Sequence, residues 1–236
     1  MTEQLIHQNI AEIRERIARA CERSGRSPSE IQVLAATKTR SVEEIRVAAE
    51  AGITLIGENT VQEAKSKFSQ LSASLEKHLI GHLQTNKVKP ALELFDLIQS
   101  VGSLKLAQEI EKRAVRMGKT VPVLIEVNVG GEASKFGVAL EKTQALVEQI
   151  APLSHIHIQG LMAVAPYANL EEVRPHFRRM RELFESLKNI SNVEMKWLSM
   201  GMSHDYEVAI EEGANLVRLG TAIFGPREMK IKSRLE

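Results

Sequence analysis

Three groups of residues could carry chemistry. The first is Lys38, in Thr37-Lys38-Thr39, directly after an apolar run at residues 31–36. A lysine at the end of such a run is partly desolvated. Burial lowers an amine's pKa and makes it a better nucleophile toward a carbonyl. A rim lysine reaching water is the plain alternative. The second group is Ser199-Met200-Gly201-Met202-Ser203 together with Gly220-Thr221. Gly201 and Gly220 would let backbone N–H groups approach an anion, while Ser199, Ser203 and Thr221 can donate hydroxyl hydrogen bonds. Ordinary turn chemistry would use the same residue types. The third is Arg218, which either faces a ligand or sits in a structural ion pair.

The elements that would position these groups follow a regular pattern. Leu5, Ile6, Ile10, Ile13, Ile17, Ala20 and Cys21 recur at helical spacing, and Ser24-Gly25 supplies a helix stop. Short apolar or β-branched runs then appear at 31–36, 53–56, 78–80, 96–99, 121–127, 156–161, 195–198 and 215–219. Helical periodicity fills intervals such as 42–51, 104–117, 140–150 and 171–187. The runs at 78–80 and 195–198 are short enough to read either way. Strand–helix alternation implies parallel strands with right-handed crossovers, and eight units in 236 residues favour a closed (β/α)8 TIM-type barrel with an extra N-terminal helix. No linker or composition break interrupts residues 1–236, so one domain is expected.

Barrel sites lie at the C-terminal ends of the strands. The polar segments named above all follow an apolar run, and so do Gly57-Glu58-Asn59 and Gly81-His82. Phosphate sites in such barrels commonly use the last two strand–helix loops, which here hold Ser199–Ser203 and Gly220-Thr221.

Bulk composition excludes several classes. A net charge of +1 gives no global field to recruit nucleic acid or an anionic membrane. The single cysteine, Cys21, forms no intrachain disulfide and suits a reducing compartment. Residues 1–7 lack a basic segment followed by an apolar one, and no run nears the ~20 apolar residues of a membrane span. A cytoplasmic protein is expected. Arg174, Arg178, Arg179 and Arg181 read as a solvated helix face. Ser203-His204-Asp205 cannot form a triad, since consecutive residues cannot face one another in that geometry. His155 and His157 share a strand parity but lack further ligands, so no metal site is expected.

The motifs Ala36-Thr37-Lys38-Thr39, Gly57-Glu58-Asn59, the block from His78 to Lys87, Lys135-Phe136-Gly137, Gly160-Leu161-Met162, Ser199-Met200-Gly201-Met202-Ser203-His204-Asp205 and the block from Arg218 to Gly225 stand in one order along nearly the whole chain. In them the sequence resembles the pyridoxal phosphate homeostasis protein family, whose barrel is similar to that of bacterial alanine racemase. The resemblance implies pyridoxal 5′-phosphate (PLP) held as an internal aldimine on Lys38. It implies phosphate contacts from Ser199, Ser203, Gly220 and Thr221, with Met200 and Gly201 in the same loop. It places Arg218 near the pyridine nitrogen and Asn59 and His82 along the pocket. Thr60 departs from the larger residue many members carry, which bears on the pocket rim.

What the resemblance implies about function is regulation of PLP supply with no established reaction. The chemistry agrees. An arginine cannot protonate a ring nitrogen, so the ring is a weak electron sink. Racemases of this group bring a tyrosine base from a second domain. Here the only tyrosines are Tyr167 and Tyr206, and either could approach the site. Negligible turnover, a monomeric state, exchange of amino acids onto the cofactor and transient contact with PLP-requiring apoenzymes are the expectations. The alternatives are a PLP-dependent racemase or lyase, and a Schiff-base lysine enzyme without PLP.

Overall fold

The computed structural model describes residues 2–132 and 135–226. Strands β1 (Gln32–Ala36), β2 (Leu55–Glu58), β3 (Glu76–Leu79), β4 (Leu97–Val101), β5 (Val121–Asn128), β7 (Ile156–Ala163), β8 (Val193–Met202) and β9 (Leu216–Leu219) pair in parallel around a closed ring. The ring closes through β4 and β5. A two-residue strand, β6 (Val138–Ala139), pairs alongside β5 outside the ring and has no counterpart in the sequence pattern. The eight expected strands are present, with β8 extended at both ends because it continues into the loop that bears Gly201.

Helices α1 (Glu3–Ser24), α2 (Val42–Glu50), α3 (Val61–Lys67), α4 (Val88–Leu94), α5 (Leu104–Met117), α6 (Thr143–Ile150), α7 (Leu170–Ser186), α8 (Tyr206–Glu211) and α9 (Thr221–Phe224) surround the barrel. Local chemistry sets their ends. Ser41 and Glu44 form a reciprocal capping box at α2, Thr60 caps α3 and Ser103 caps α5. The small residue at position 60 is therefore a helix cap. Gly25 ends α1 in the left-handed region that glycine tolerates best. Every second residue of a strand points inward. In the lumen, Leu34, Leu55 and Leu216 form one apolar cluster and Leu97, Leu124 and Met162 another, with Trp197 packed against both.

The basic cluster on α7 is not simply solvated. Arg174 pairs with Glu211 and Glu212, Arg178 with Glu212, and Arg179 with Glu141. Glu211 and Glu207 also receive Arg23 from α1. These pairs tie α1 and α7 to α8. Their role is fastening the helix layer.

Candidate cofactor site

Lys38 is half-buried in the turn that leaves β1. Its neighbours show how that turn is held. Thr37 is fully buried, and its hydroxyl donates to the Glu58 carboxylate at 2.7 Å. The Lys67 ammonium donates to the Thr37 carbonyl at 2.9 Å, to Glu58 at 2.9 Å and to Glu63 at 2.7 Å. Thr39 has a φ of 66°, a costly conformation for a branched residue. Its N–H donates to Glu63, which offsets part of that cost. Burial pushes the Glu58 carboxyl up, against the pull of Lys67 and Thr37. Thus α3 clamps the lysine turn from behind. Sequence reading missed Lys67. Its only signal was the Glu63–Lys67 spacing, which reads as an ordinary exposed helix pair.

The loops after β8 and β9 meet at Ser203. Its hydroxyl oxygen accepts the Gly220 N–H at 3.2 Å and the Ala222 N–H at 3.1 Å. Gly220 lies beside Ala36, two residues before Lys38; a Cβ there would sit 3.6 Å from the Ala36 Cβ. Thr221 is exposed at the start of α9. So Ser203, Gly220 and Thr221 form one polar rim next to the lysine turn.

Three residues of the group have other positions than expected. Ser199 is fully buried, and its hydroxyl accepts from Arg218 at 2.7 Å and donates to Gln99 at 2.7 Å inside the barrel. It serves Arg218 and not the rim, because its strand parity turns it into the lumen. Met200, one residue on, points outward into the core beneath the helices. Gly201 has a φ of 90°, and a Cβ there would lie 2.6 Å from the Ala209 Cβ. Close packing of α8 on β8 requires this glycine, whereas the sequence reading assigned it to anion approach.

Arg218 is 5% exposed. It donates through Nη1 to Ser199 and through Nη2 to the Ala163 carbonyl at 2.8 Å. It makes no ion pair among the described residues, although the charges of Asp205 and Glu126 favour its protonated form. Burial pulls its pKa down to about 10, so it stays protonated at neutral pH. Across the lumen on β5, burial pushes the Glu126 carboxyl up to about 7, against the attraction of Arg218.

That shift has a sign that can be checked. A carboxyl whose folded pKa is raised contributes stability below its unfolded value, and this is lost as pH rises through about 7. Glu126→Gln should therefore stabilise the apoprotein at pH 8 by at most about 4 kcal/mol, which a higher melting temperature would report. The gain should vanish below the unfolded pKa of about 4.3. A gain independent of pH would show that Glu126 is not the titrating group.

The remaining predicted residues divide between rim and wall. Asn59 is half-buried in the loop after β2, and its backbone fills the space a Cβ on Gly81 would need, so the loops after β2 and β3 touch. His82 is exposed and stacks on Phe136 with ring centroids 3.9 Å apart. The two rings border a cavity of about 730 Å³ that also reaches Ser100, Lys105, Glu126 and Lys135. Lys38, Arg218 and Ser203 do not line that cavity, which opens between β3, β4 and β5. His82 therefore stands apart from the polar rim of β8 and β9.

Of the tyrosines, Tyr206 is buried under α1, with Arg16 5.1 Å from its ring, and burial pushes its hydroxyl up to about 12. It does not reach the barrel mouth. Tyr167 is 92% exposed beside His204 on the rim. His155 and His157 pair with Glu111 and Glu194 at the start of β7, far along the strand from the rim.

The comparisons agree with this geometry. A family model described as alanine racemase, N-terminal domain, matches residues 8–228. The pyridoxal phosphate homeostasis protein of Aquifex aeolicus is 47% identical, covering 94% of this chain and 98% of that protein. The one from Escherichia coli strain K12 is 38% identical over 96% of this chain and 99% of its own. Among solved structures, PipY of Synechococcus elongatus PCC7942, with PLP bound, superposes with a TM-score of 0.81 at 32% identity, covering 93% of this chain and 100% of that one. An alanine racemase of Clostridium difficile 630 shares the fold, with a TM-score of 0.72 at 15% identity, over 97% of this chain and 59% of that one. With this barrel, this order of motifs and these relatives, the chain belongs to the pyridoxal phosphate homeostasis protein family, within the group of alanine racemase N-terminal domains.

Proposed function

We propose that this protein binds PLP covalently through Lys38 and serves in the intracellular supply of that cofactor. The donor set carries the reading. An amine, a buried guanidinium and N–H-rich loops stand at three adjacent points of one barrel end. They match the aldehyde, ring nitrogen and phosphate of one small molecule. Arg218 spends an N–H each on Ser199 and Ala163, and its other donors have no partner among the described residues. The PLP bound to PipY and the names of the homeostasis proteins support the same reading. When bound, PLP supplies an electron-withdrawing ring that can stabilise charge on an attached carbon.

This chain's residues then have distinct tasks. Lys38 holds the aldehyde carbon, and Arg218 donates a hydrogen bond at the ring nitrogen without releasing its proton. Ser203, Gly220 and Thr221 hold the phosphate, Gly201 and the Met200 backbone shape their loop, and Ser199 holds Arg218. Asn59 flanks the entrance, and His82 stands further round the same barrel end, stacked on Phe136. Replacing Ser203 and Thr221 together by Ala should weaken PLP binding more than about a hundredfold, since hydrogen bonds to a charged group contribute roughly 1.5–3 kcal/mol each. Titration of the apoprotein measures this, and wild-type affinity would assign the phosphate to other groups.

Residues 1–236 act as one domain in this proposal, cytoplasmic and monomeric. Amino acids exchange with Lys38 for the cofactor, and PLP-requiring apoenzymes receive it by transient contact. No helix among the described residues is long and apolar enough to cross a membrane. A racemase or lyase is the second reading, favoured by Glu126, whose pKa of about 7 suits a general base. Incubating the loaded protein with L-alanine and L-serine, and following chirality and products over hours, separates the two. Multiple turnovers abolished by Lys38→Ala would overturn the homeostasis reading.

A further inference from the structure

The barrel lumen contains a polar chain where packed aliphatic layers are the norm. It starts at Arg218, whose Nη1 donates to Ser199 Oγ at 2.7 Å. Ser199 donates to Gln99 Oε1 at 2.7 Å, across the lumen from β8 to β4. Gln99 Nε2 and His78 Nδ1 are 2.8 Å apart, as are His78 Nε2 and Glu76 Oε1. Ser199, Gln99 and His78 are all buried, while the Glu76 side chain is 46% exposed at the opposite end of the barrel.

The ends of this chain determine its direction. Arginine is donor-only, and an ionised carboxylate is acceptor-only. The His78 N–H holds the Glu76 carboxyl below its usual range, which keeps that end an acceptor. With the Ser199 hydroxyl donating to Gln99 Oε1, each link between donates toward Glu76. Gln99 therefore presents its oxygen to Ser199 and its NH2 to His78, and His78 carries its proton on Nε2. Reversing the Gln99 amide would take away the acceptor of the Ser199 hydroxyl hydrogen.

We propose that Gln99 and His78 are positioning residues for Arg218, holding its guanidinium plane toward the site through Ser199. This rests on the reading of Arg218 as the partner of the PLP ring nitrogen. A satisfied, one-way chain in a low-dielectric lumen gives the guanidinium one orientation. Without Gln99, the Ser199 hydroxyl must seek another acceptor, and the Ala163 carbonyl is left as the one fixed partner of Arg218 among the described residues.

The test compares wild type, Gln99→Met and the double variant Gln99→Met/His78→Leu, each titrated with PLP. The double variant removes both polar partners at that link, so it guards against a single variant that fails to fold. In both variants the absorption maximum of bound PLP should shift, and affinity should fall about tenfold or more. A role confined to stability would move the melting temperature and leave the spectrum alone. Wild-type spectrum and affinity in both variants would overturn the proposal while leaving Lys38 attachment intact. A wild type that forms no borohydride-stable adduct on Lys38 would overturn the reading beneath it, and the role of Gln99 and His78 with it.

Discussion

Lys38→Ala should retain no borohydride-stable pyridoxyl group, whereas reduction of the loaded wild-type protein should place that group on Lys38. The expected effect is complete, because a covalent bond is lost and not a fraction of a binding energy. Side-chain chemistry leaves no substitute at that point of the turn. Thr37 is buried with its hydroxyl on Glu58, and Thr39 is held by Glu63. Lys67 lies close behind, but its ammonium is engaged by two carboxylates and a carbonyl and is 8% exposed. A protonated amine held in that way is a poor nucleophile. The rim of Ser203, Gly220 and Thr221 should still bind the phosphate of PLP weakly and reversibly. Peptide mass mapping after reduction decides the matter. Stoichiometric label on another lysine of the wild type would mean that Lys38 is not the attachment point.

Lys67→Met should cost about 3–5 kcal/mol of stability, the range for removing one partner of a buried ion pair. On a chain of this size that is a fall in melting temperature on the order of 10 °C. Glu58 is fully buried, and without Lys67 its charge has only the Thr37 hydroxyl. Burial already raises its pKa, and removing the ammonium raises it further. A raised carboxyl pKa contributes stability at low pH that is lost as pH rises. The deficit of Lys67→Met should therefore be larger at pH 8 than at pH 5. Adding Glu58→Gln to Lys67→Met should recover part of the loss at pH 8. Because the Thr37 carbonyl also loses its donor, PLP attachment should become slower in Lys67→Met. Equal deficits at both pH values would assign the cost to lost packing.

The legibility of the sequence varied with the range of the interactions involved. Helix α1 announced itself through Ile6, Ile10, Ile13 and Ile17, all of which are buried. The helix at 104–117 matched its structural bounds, since Ser103 and Gly118 are local signals. Strand β6 left no trace, because a two-residue strand has no period to detect. Among the residues proposed for the site, Lys38, Ser203, Gly220 and Thr221 stood out by their place after apolar runs.

Local periodicity and turn chemistry thus determined the number of strands, their alternation with helices, and the rim on which polar residues gather. Those are properties of residues a few positions apart, and a sequence displays them directly. Only the tertiary structure decided that Ser199 turns inward to Arg218, that Gly201 is demanded by α8, and that Lys67 clamps the lysine turn. It alone joined Gln99 to Ser199, residues 100 positions apart, across the lumen. Closure of the ring brings such residues together, and closure depends on the register and parity of all the strands at once. A buried polar group acts through whatever stands opposite it, and that neighbour belongs to the fold and not to the adjacent sequence.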